Sequence, residues 1–471
     1  MNEYDYLAKA KDKMADEKYI EVISLCKKAL KLNENLPEAY DFLGNAKYEM
    51  GEYREAIESF SKGIEMEPDN AKHYYDRSWA FYKIYEVEDA IVDMNKALEI
   101  NPKSSLYYYE RGRFEQYIER YREAISDFTK GIELKPTENK YISRGNCYME
   151  IEEYDLAYND FTSAIEIESE SHYAYYRRGL LKMRLEKYPE AIKDFEKSIE
   201  IYPDAAAAYI QIGYAKIYLG KKDAMKYFNK AVKICPFAEY YLEKVTARGK
   251  ILFRENALKN LSANLDIERE FSGQRAYNEK QAQEDIKDLN KALEDEPNNK
   301  EALQYRADRY YYLEKYNKAI DDCTRLVELE PDNKDYYYIR AISLQSNREY
   351  QAAIDDCNKI SELNGKEIDA KVLFLKSNAE YSLKRYQNVI NNLNIALSVK
   401  ETCGSYYYRG LAHYQLKHFR QAYSDIKNAI KLKFDVLEIY EDKLPKPLEF
   451  AINFSDKNKK AAETPVGLTN I

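Results

Sequence analysis

A phrase that keeps recurring restricts this chain more than any other feature. YYYERG runs from Tyr107 to Gly112, and YYDRS (Tyr74–Ser78), YYRRG (Tyr175–Gly179), YYYIRA (Tyr336–Ala341) and YYYRG (Tyr406–Gly410) rewrite it. The copies keep phase with a 34-residue unit that begins near Glu3, Pro37, Ala71, Ser105, Glu138, His172 and Ala206, and again at Lys300, Lys334, Ala370 and Cys403. Self-similarity at such a period marks an array in which each unit is one supersecondary element.

The columns of the repeat have physical meaning. Place eight is small: Ala10, Gly44, Ser78, Gly112, Gly145, Gly179, Gly213, Ala307, Ala341, Ser377 and Gly410. Place twenty is Ala56, Ala90, Ala124, Ala157, Ala191, Ala224, Ala319, Ala353 and Ala422, with Val22 and Val389 as exceptions. Two small columns flanking a turn suit a tight antiparallel helix pair where its backbones come closest. Large apolar residues follow (Phe60, Phe128, Phe161, Phe195, Phe228), and Pro68, Pro102, Pro136, Pro203, Pro236 and Pro331 stop the second helix. A lone hairpin cannot hide its apolar face, so neighbours stack into a solenoid.

Pro37 to Asn70, PEAYDFLGNAKYEMGEYREAIESFSKGIEMEPDN, resembles the tetratricopeptide repeat family: Tyr40, Leu43, Gly44, Tyr53, Ala56, Phe60 and Pro68 fall where that family's pattern expects them. The resemblance covers about Glu3 to Val436 and implies an all-α, right-handed superhelix of about twelve helix pairs, with a concave groove for partner peptides or proteins. The first unit departs from the pattern, with Val22 and Cys26 where alanine and phenylalanine are expected.

Place seven holds Arg77, Arg111, Arg144, Arg178, Arg306, Arg340 and Arg409, where the family more often has leucine. Place twenty-three of the same units holds Asp93, Asp127, Asp160, Asp194, Asp322, Asp356 and Asp425. In a hairpin turning near place fifteen these two places stand level on facing helices, which predicts an ion pair inside each unit. An arginine ladder gripping acidic ligands would need uncompensated charge, and the matched aspartates remove it.

Three adjacent tyrosines on a helix point about 100° apart and cannot share a role. In YYYERG, Tyr108 at place four is expected inside the hairpin near Gly112, Tyr107 against the neighbouring unit, and Tyr109 on a separate stripe of places five, nine and twelve. The resemblance puts that stripe in the groove. Its candidate partner-binding residues are Tyr48, Tyr75, Trp79, Tyr82, Tyr109, Arg113, Tyr176, Tyr214, Tyr338, Phe374, Tyr381, Tyr407 and Tyr414. An aromatic lining suits recognition, because tyrosine gives contact area and a hydroxyl at little entropic cost. The opposing reading is that superhelical curvature buries these rings. The family's carboxylate clamp pairs lysine at place five with asparagine at place nine. Here Asn45, Asn146 and Asn378 face Asp41, Ile142 and Phe374, so the clamp is absent and a partner with apolar or aromatic anchors is favoured.

The period breaks between Ala238 and Lys300. Arg248 and Asp288 restore it as an eighth unit, 242–299, carrying an insertion of about 24 residues near 256–281. Leu258, Leu261 and Leu265 keep helical spacing there, predicting a helical prong able to contact a second copy of the chain or a partner; a surface loop is the alternative. The organisation expected is thus units one to seven over 3–241, the prong-bearing unit over 242–299, units nine to twelve over 300–436, and a capping helix with a flexible tail over 437–471.

Mixed charge (73 basic against 82 acidic residues) shows no basic stripe for nucleic acid, and no apolar run of membrane-spanning length occurs. The polar start, without an apolar h-region, and six scattered cysteines without C-x-x-C spacing suggest reduced thiols in a cytoplasmic setting. No phosphate loop, metal motif or nucleophile elbow is present, so neither enzyme activity nor a cofactor or metal is expected. Two functions remain open: a scaffold or adaptor recruiting proteins or extended peptides through its groove, and a structural subunit that self-associates.

Overall fold

The computed structural model describes residues 1–262, 279–365 and 367–432, and of 252–262 the backbone alone. It is an all-α solenoid of helix hairpins in two compact units, Met1–Ile234 and the chain from Cys235 onward. The first unit pairs α1 (Glu3–Ala15) with α2 (Tyr19–Leu32), α3 (Pro37–Glu49) with α4 (Tyr53–Met66), and α5 (Ala71–Lys83) with α6 (Val87–Ile100). It continues with α7 (Ser105–Tyr117) and α8 (Tyr121–Leu134), α9 (Glu138–Glu150) and α10 (Tyr154–Ile167), α11 (His172–Arg184) and α12 (Tyr188–Ile201), and α13 (Ala206–Tyr218) and α14 (Ala224–Ile234). The second pairs α15 (Ala238–Ser262) with α16 (Glu279–Asp295), α17 (Lys300–Tyr312) with α18 (Tyr316–Leu329), and α19 (Lys334–Ser346) with α20 (Tyr350–Asn364). It ends in α21 (Ala370–Ser382) with α22 (Tyr386–Val399) and α23 (Cys403–Gln415) with α24 (Phe419–Leu432).

Local chemistry sets these boundaries. The side chains of Asn70, Ser104, Ser171, Asn299, Asn333, Asp369 and Thr402 accept hydrogen bonds from the first-turn amides of their helices. Between the two helices of a hairpin, place fifteen takes a left-handed backbone in eleven units: Glu17, Gly51, Tyr85, Glu119, Glu152, Glu186, Gly220, Glu314, Arg348, Lys384 and Lys417. Only two of them are glycine, so packing of the flanking helices imposes that turn on side chains that disfavour it.

Inside each hairpin, place eight meets place twenty-four. A Cβ at Gly112 would lie 2.8 Å from the Phe128 ring, and one at Gly145 2.7 Å from Phe161. The two columns trade volume. Glycine faces phenylalanine in five units (Gly44/Phe60, Gly112/Phe128, Gly145/Phe161, Gly179/Phe195, Gly213/Phe228). Alanine faces cysteine in three (Ala10/Cys26, Ala307/Cys323, Ala341/Cys357), and Ser78 touches Met94. The five phenylalanines are 0–1% exposed, so this pair is the centre of each hairpin's core. Cys26, Cys323 and Cys357 are fully buried there, and burial pushes their thiols up to about 12.

The eighth hairpin departs from the pattern. Helix α15 starts ahead of Leu242 and has 25 residues. At place twenty, alanine in most units, stands Asp285, which is fully buried and held by Arg248 of α15 and by Arg309 of α17, the latter at 2.9 Å. Residues 263–278 lie outside the described residues, as do most of the proposed prong and the expected capping helix and tail.

Gly145→Ala should destabilise the chain by about 1–3 kcal/mol, since the added methyl must displace the Phe161 ring. Phe161→Cys in the same chain should recover part of that loss by restoring an alanine/cysteine pair. Urea unfolding of both variants measures this.

Candidate functional site

The arginine column is fully engaged. Arg77 donates Nε to Asp93 Oδ2 at 2.8 Å and Nη2 to Asp93 Oδ1 at 2.7 Å. The same fork joins Arg111 to Asp127, Arg144 to Asp160 and Arg178 to Asp194. In the second unit it joins Arg306 to Asp322, Arg340 to Asp356 and Arg409 to Asp425. Each Nη1 also reaches the preceding hairpin at place twenty-five: Arg77 to Ser61 at 2.9 Å, Arg111 to Asn95 at 2.6 Å, Arg144 to Thr129 at 2.9 Å and Arg178 to Thr162 at 3.3 Å. Arg306 reaches Asn290 at 2.8 Å, Arg340 Thr324 at 3.4 Å and Arg409 Asn394 at 2.8 Å. One side chain thus ties a hairpin to itself and to its neighbour.

The place-four tyrosine belongs to this assembly. Tyr74, Tyr108, Tyr141, Tyr175, Tyr337 and Tyr406 lie 5.3–5.9 Å from the guanidinium of the arginine three residues on. Tyr108 therefore lies along Arg111, while Phe128 fills the space beside Gly112. Burial pushes the carboxyls of Asp93, Asp160 and Asp322 up despite their arginines, whereas the attraction of Asp127 raises Arg111 further. Both groups move up, which disfavours the charged carboxylate and favours the charged guanidinium; the aspartate side chains are 4–7% exposed and the arginines 15–22%. Desolvation of the carboxylate offsets much of the attraction, so the pair fixes register more than it adds stability.

The expected groove residues fall into different situations. On α5 and α7, Trp79, Tyr82 and Arg113 join one aromatic assembly. Trp79 lies 5.3 Å from Phe114 and 5.6 Å from Tyr82, and Tyr82 stacks on Phe114 at 5.0 Å and meets Tyr117 at 5.2 Å. Arg113 lies 5.1 Å from Trp79 and 5.8 Å from Tyr109, with its side chain 41% exposed and one edge on Glu110 at 2.9 Å. Tyr75 pairs with Tyr107 of the next hairpin at 5.4 Å. Tyr75, Trp79, Tyr82 and Tyr109 are half-buried, and Tyr117 is 49% exposed.

A second assembly joins Phe374, Tyr381 and Tyr407 through Tyr408, at 5.5–5.8 Å, on α21 and α23. Tyr414 packs against the cluster of Tyr407 and Leu411 and lies 5.8 Å from Phe419. Tyr48 pairs with Tyr53, Tyr176 with Phe195 and Tyr338 with the core around Ala341.

Two expected lining rings are core instead: Tyr214 is 9% exposed against Phe228, and Tyr407 is 5% exposed among Leu411, Ile426 and Ala429. For these two the opposing reading of buried rings describes the geometry. Phe114 at place ten, Tyr117 at place thirteen and Tyr408 at place six were not singled out by the stripe. Their signal is visible only as aromatic density on neighbouring helices.

Among the described residues no helix is long and apolar enough to cross a membrane, and no group of three or more His, Cys, Asp or Glu could hold a metal ion. His413 is half-buried, and burial lowers it below the ordinary histidine value.

Models of the tetratricopeptide repeat match residues 44–84, 106–138, 172–205, 206–237 and 306–367. No curated protein matches the chain. Among solved structures, the MamA protein is 27% identical over 35% of this chain and 91% of its own, with a TM-score of 0.33. YrrB, described as a TPR protein with an unusual peptide-binding site, is 25% identical over 38% of this chain and 94% of its own, with a TM-score of 0.33. A tetratricopeptide repeat protein from Parabacteroides merdae ATCC 43184 is 22% identical over 50% of this chain and 93% of its own, with a TM-score of 0.42.

Asp160→Ala strands the Arg144 guanidinium between two hairpins and should cost about 3 kcal/mol, read from chemical unfolding. Thr129→Val, which removes only the bond to the neighbouring hairpin, should cost about 1 kcal/mol.

Proposed function

Because the chain belongs to the tetratricopeptide repeat family, we propose that it is a protein–protein interaction scaffold whose recognition surface is the aromatic assembly on α5 and α7. The reading is supported by one observation above the others. Trp79, Tyr82, Tyr109 and Tyr117 remain partly open to solvent although they stand within 6 Å of other rings or of Arg113. A fully solvated helix face has no use for such a surface, whereas a partner that covers it gains apolar contact and hydrogen bonds to phenolic hydroxyls. The arginines of the stitches already spend their donors on aspartate, serine, threonine and asparagine, so recognition falls to the rings and to the open edge of Arg113. The partner is an extended peptide or a protein segment with apolar or aromatic anchors.

Trp79 is the sole tryptophan and therefore reports directly on this surface. Peptides selected from a random library against the full chain should be rich in apolar and aromatic residues and should shift Trp79 emission. The triple variant Tyr75→Ala, Trp79→Ala, Tyr109→Ala should bind them at least about tenfold more weakly, a loss of about 1.4 kcal/mol. Tyr117→Ala, at the open rim, should weaken binding while leaving the melting temperature near that of the parent. Peptides that bind the triple variant as tightly as the parent would place recognition elsewhere.

A further inference from the structure

We propose that His73 makes the junction between the second and third hairpins pH-sensitive: as a cation its imidazole bridges both hairpins, and on losing a proton it releases its hold on the end of α4. The inference concerns the fold itself and does not depend on the groove reading.

His73 is fully buried on α5, at place three of its repeat. The other repeats carry no histidine there; Tyr107, Lys140, Ala174, Ala208, Ala302 and Tyr336 are among the residues in that column. Place three is where a hairpin grips its predecessor. Lys140 donates to the carbonyl of Lys135 at the end of α8, and a Cβ on Gly131 would touch Lys140 at 3.3 Å. At the equivalent position Gly63 leaves room for the His73 ring, 3.3 Å from where a Cβ would stand.

The ring nitrogens face different situations. Nδ1 lies 2.7 Å from Asp41 Oδ1 on α3, both atoms buried and not aligned as a hydrogen bond; at that distance a nitrogen lone pair would repel the carboxylate, so Nδ1 carries a proton. Nε2 lies 3.1 Å from Glu67 Oε2 at the end of α4 and 3.2 Å from Asn70 Nδ2. Protonated, Nε2 donates to Glu67; deprotonated, it accepts from the Asn70 amide, which also donates to Glu67 at 2.9 Å. Both states have a partner, and only the cation is drawn to two carboxylates on two helices of the preceding hairpin.

Other charges stand near the ring: Asp76 on α5 acts on both His73 and Asp41, and Lys72 attracts Asp41. On its own helix Lys72 pairs with Asp76, and the Tyr107 phenol of α7 stands near that pair. Helix α6 commits Asp93 to Arg77. Burial pulls the His73 imidazole down, but Asp41 and then Glu67 outweigh it and hold the group above the ordinary value. A base whose native value is raised stabilises the fold fully below its unfolded value. That stabilisation is lost as pH climbs through the native value. The junction is therefore tight in mild acid and looser in mild alkali.

Four histidines make the test tractable by nuclear magnetic resonance of the full chain, each signal assigned by a His→Gln replacement. His73 should titrate above about 6.5, the value of a free histidine, and above His413. The melting-temperature advantage of the parent over Asp41→Asn should shrink as pH rises from about 6 to about 9. Titration of His73 at or below about 6.5, or an advantage that stays constant with pH, would overturn the proposal. Should Asp41→Asn or His73→Gln fail to fold, the titration of the parent still decides, with assignment by through-bond experiments.

Discussion

In seven hairpins a single guanidinium at place seven ties the two helices together and to the hairpin before. Two of its nitrogens close a fork on the aspartate sixteen residues later, and the third crosses to a serine, threonine or asparagine of the hairpin before it. The fork levels the two helices of one repeat, and the crossing bond levels one repeat against the next. Because the aspartate is almost fully enclosed, the arrangement tolerates little sliding: any shift leaves a charge in a poor environment. The place-four tyrosine lies along the same cation, which explains why Tyr-x-x-Arg recurs through the chain.

Around this polar frame the apolar interior follows a volume rule. In five hairpins a glycine at place eight admits a phenylalanine from the facing helix, Gly410 admits Ile426, and the three alanines at place eight stand opposite cysteine. A larger residue on one helix is thus matched by a smaller one opposite in these hairpins. The consequence for function is a division of labour. The cations at place seven are committed to structure, and the half-open ring surface of α5 and α7 is the surface we propose for a partner.

Much of this was readable from the residues, because a helical hairpin is short-range and its spacing is fixed by chain geometry. The turn at place fifteen, the level pairing of places seven and twenty-three and the contact of Tyr107 with the preceding repeat follow from the 34-residue spacing and 3.6 residues per turn. The crossing bond was harder. Ser61, Asn95, Thr129, Thr162, Asn290, Thr324 and Asn394 form a polar column at place twenty-five, but polar residues on a second helix look like solvated surface until the neighbour's arginine is placed beside them. Ring burial was harder still. Tyr109 and Tyr407 share place five, yet one is half-open and the other 5% exposed, since exposure depends on what neighbouring helices contribute and not on the repeat alone. Asp285 broke the alanine column for a local reason, two arginines converging on it, that spacing could not show.

The central claim is that the arginine couples adjacent hairpins as well as the helices within one. A double-mutant cycle of Arg144→Met with Thr129→Val in urea unfolding tests it most directly. The stitched arrangement requires a coupling of about 1 kcal/mol between these residues of different repeats. Strictly additive losses would mean that the crossing bond contributes nothing, and that the repeats are held in register by their apolar faces alone.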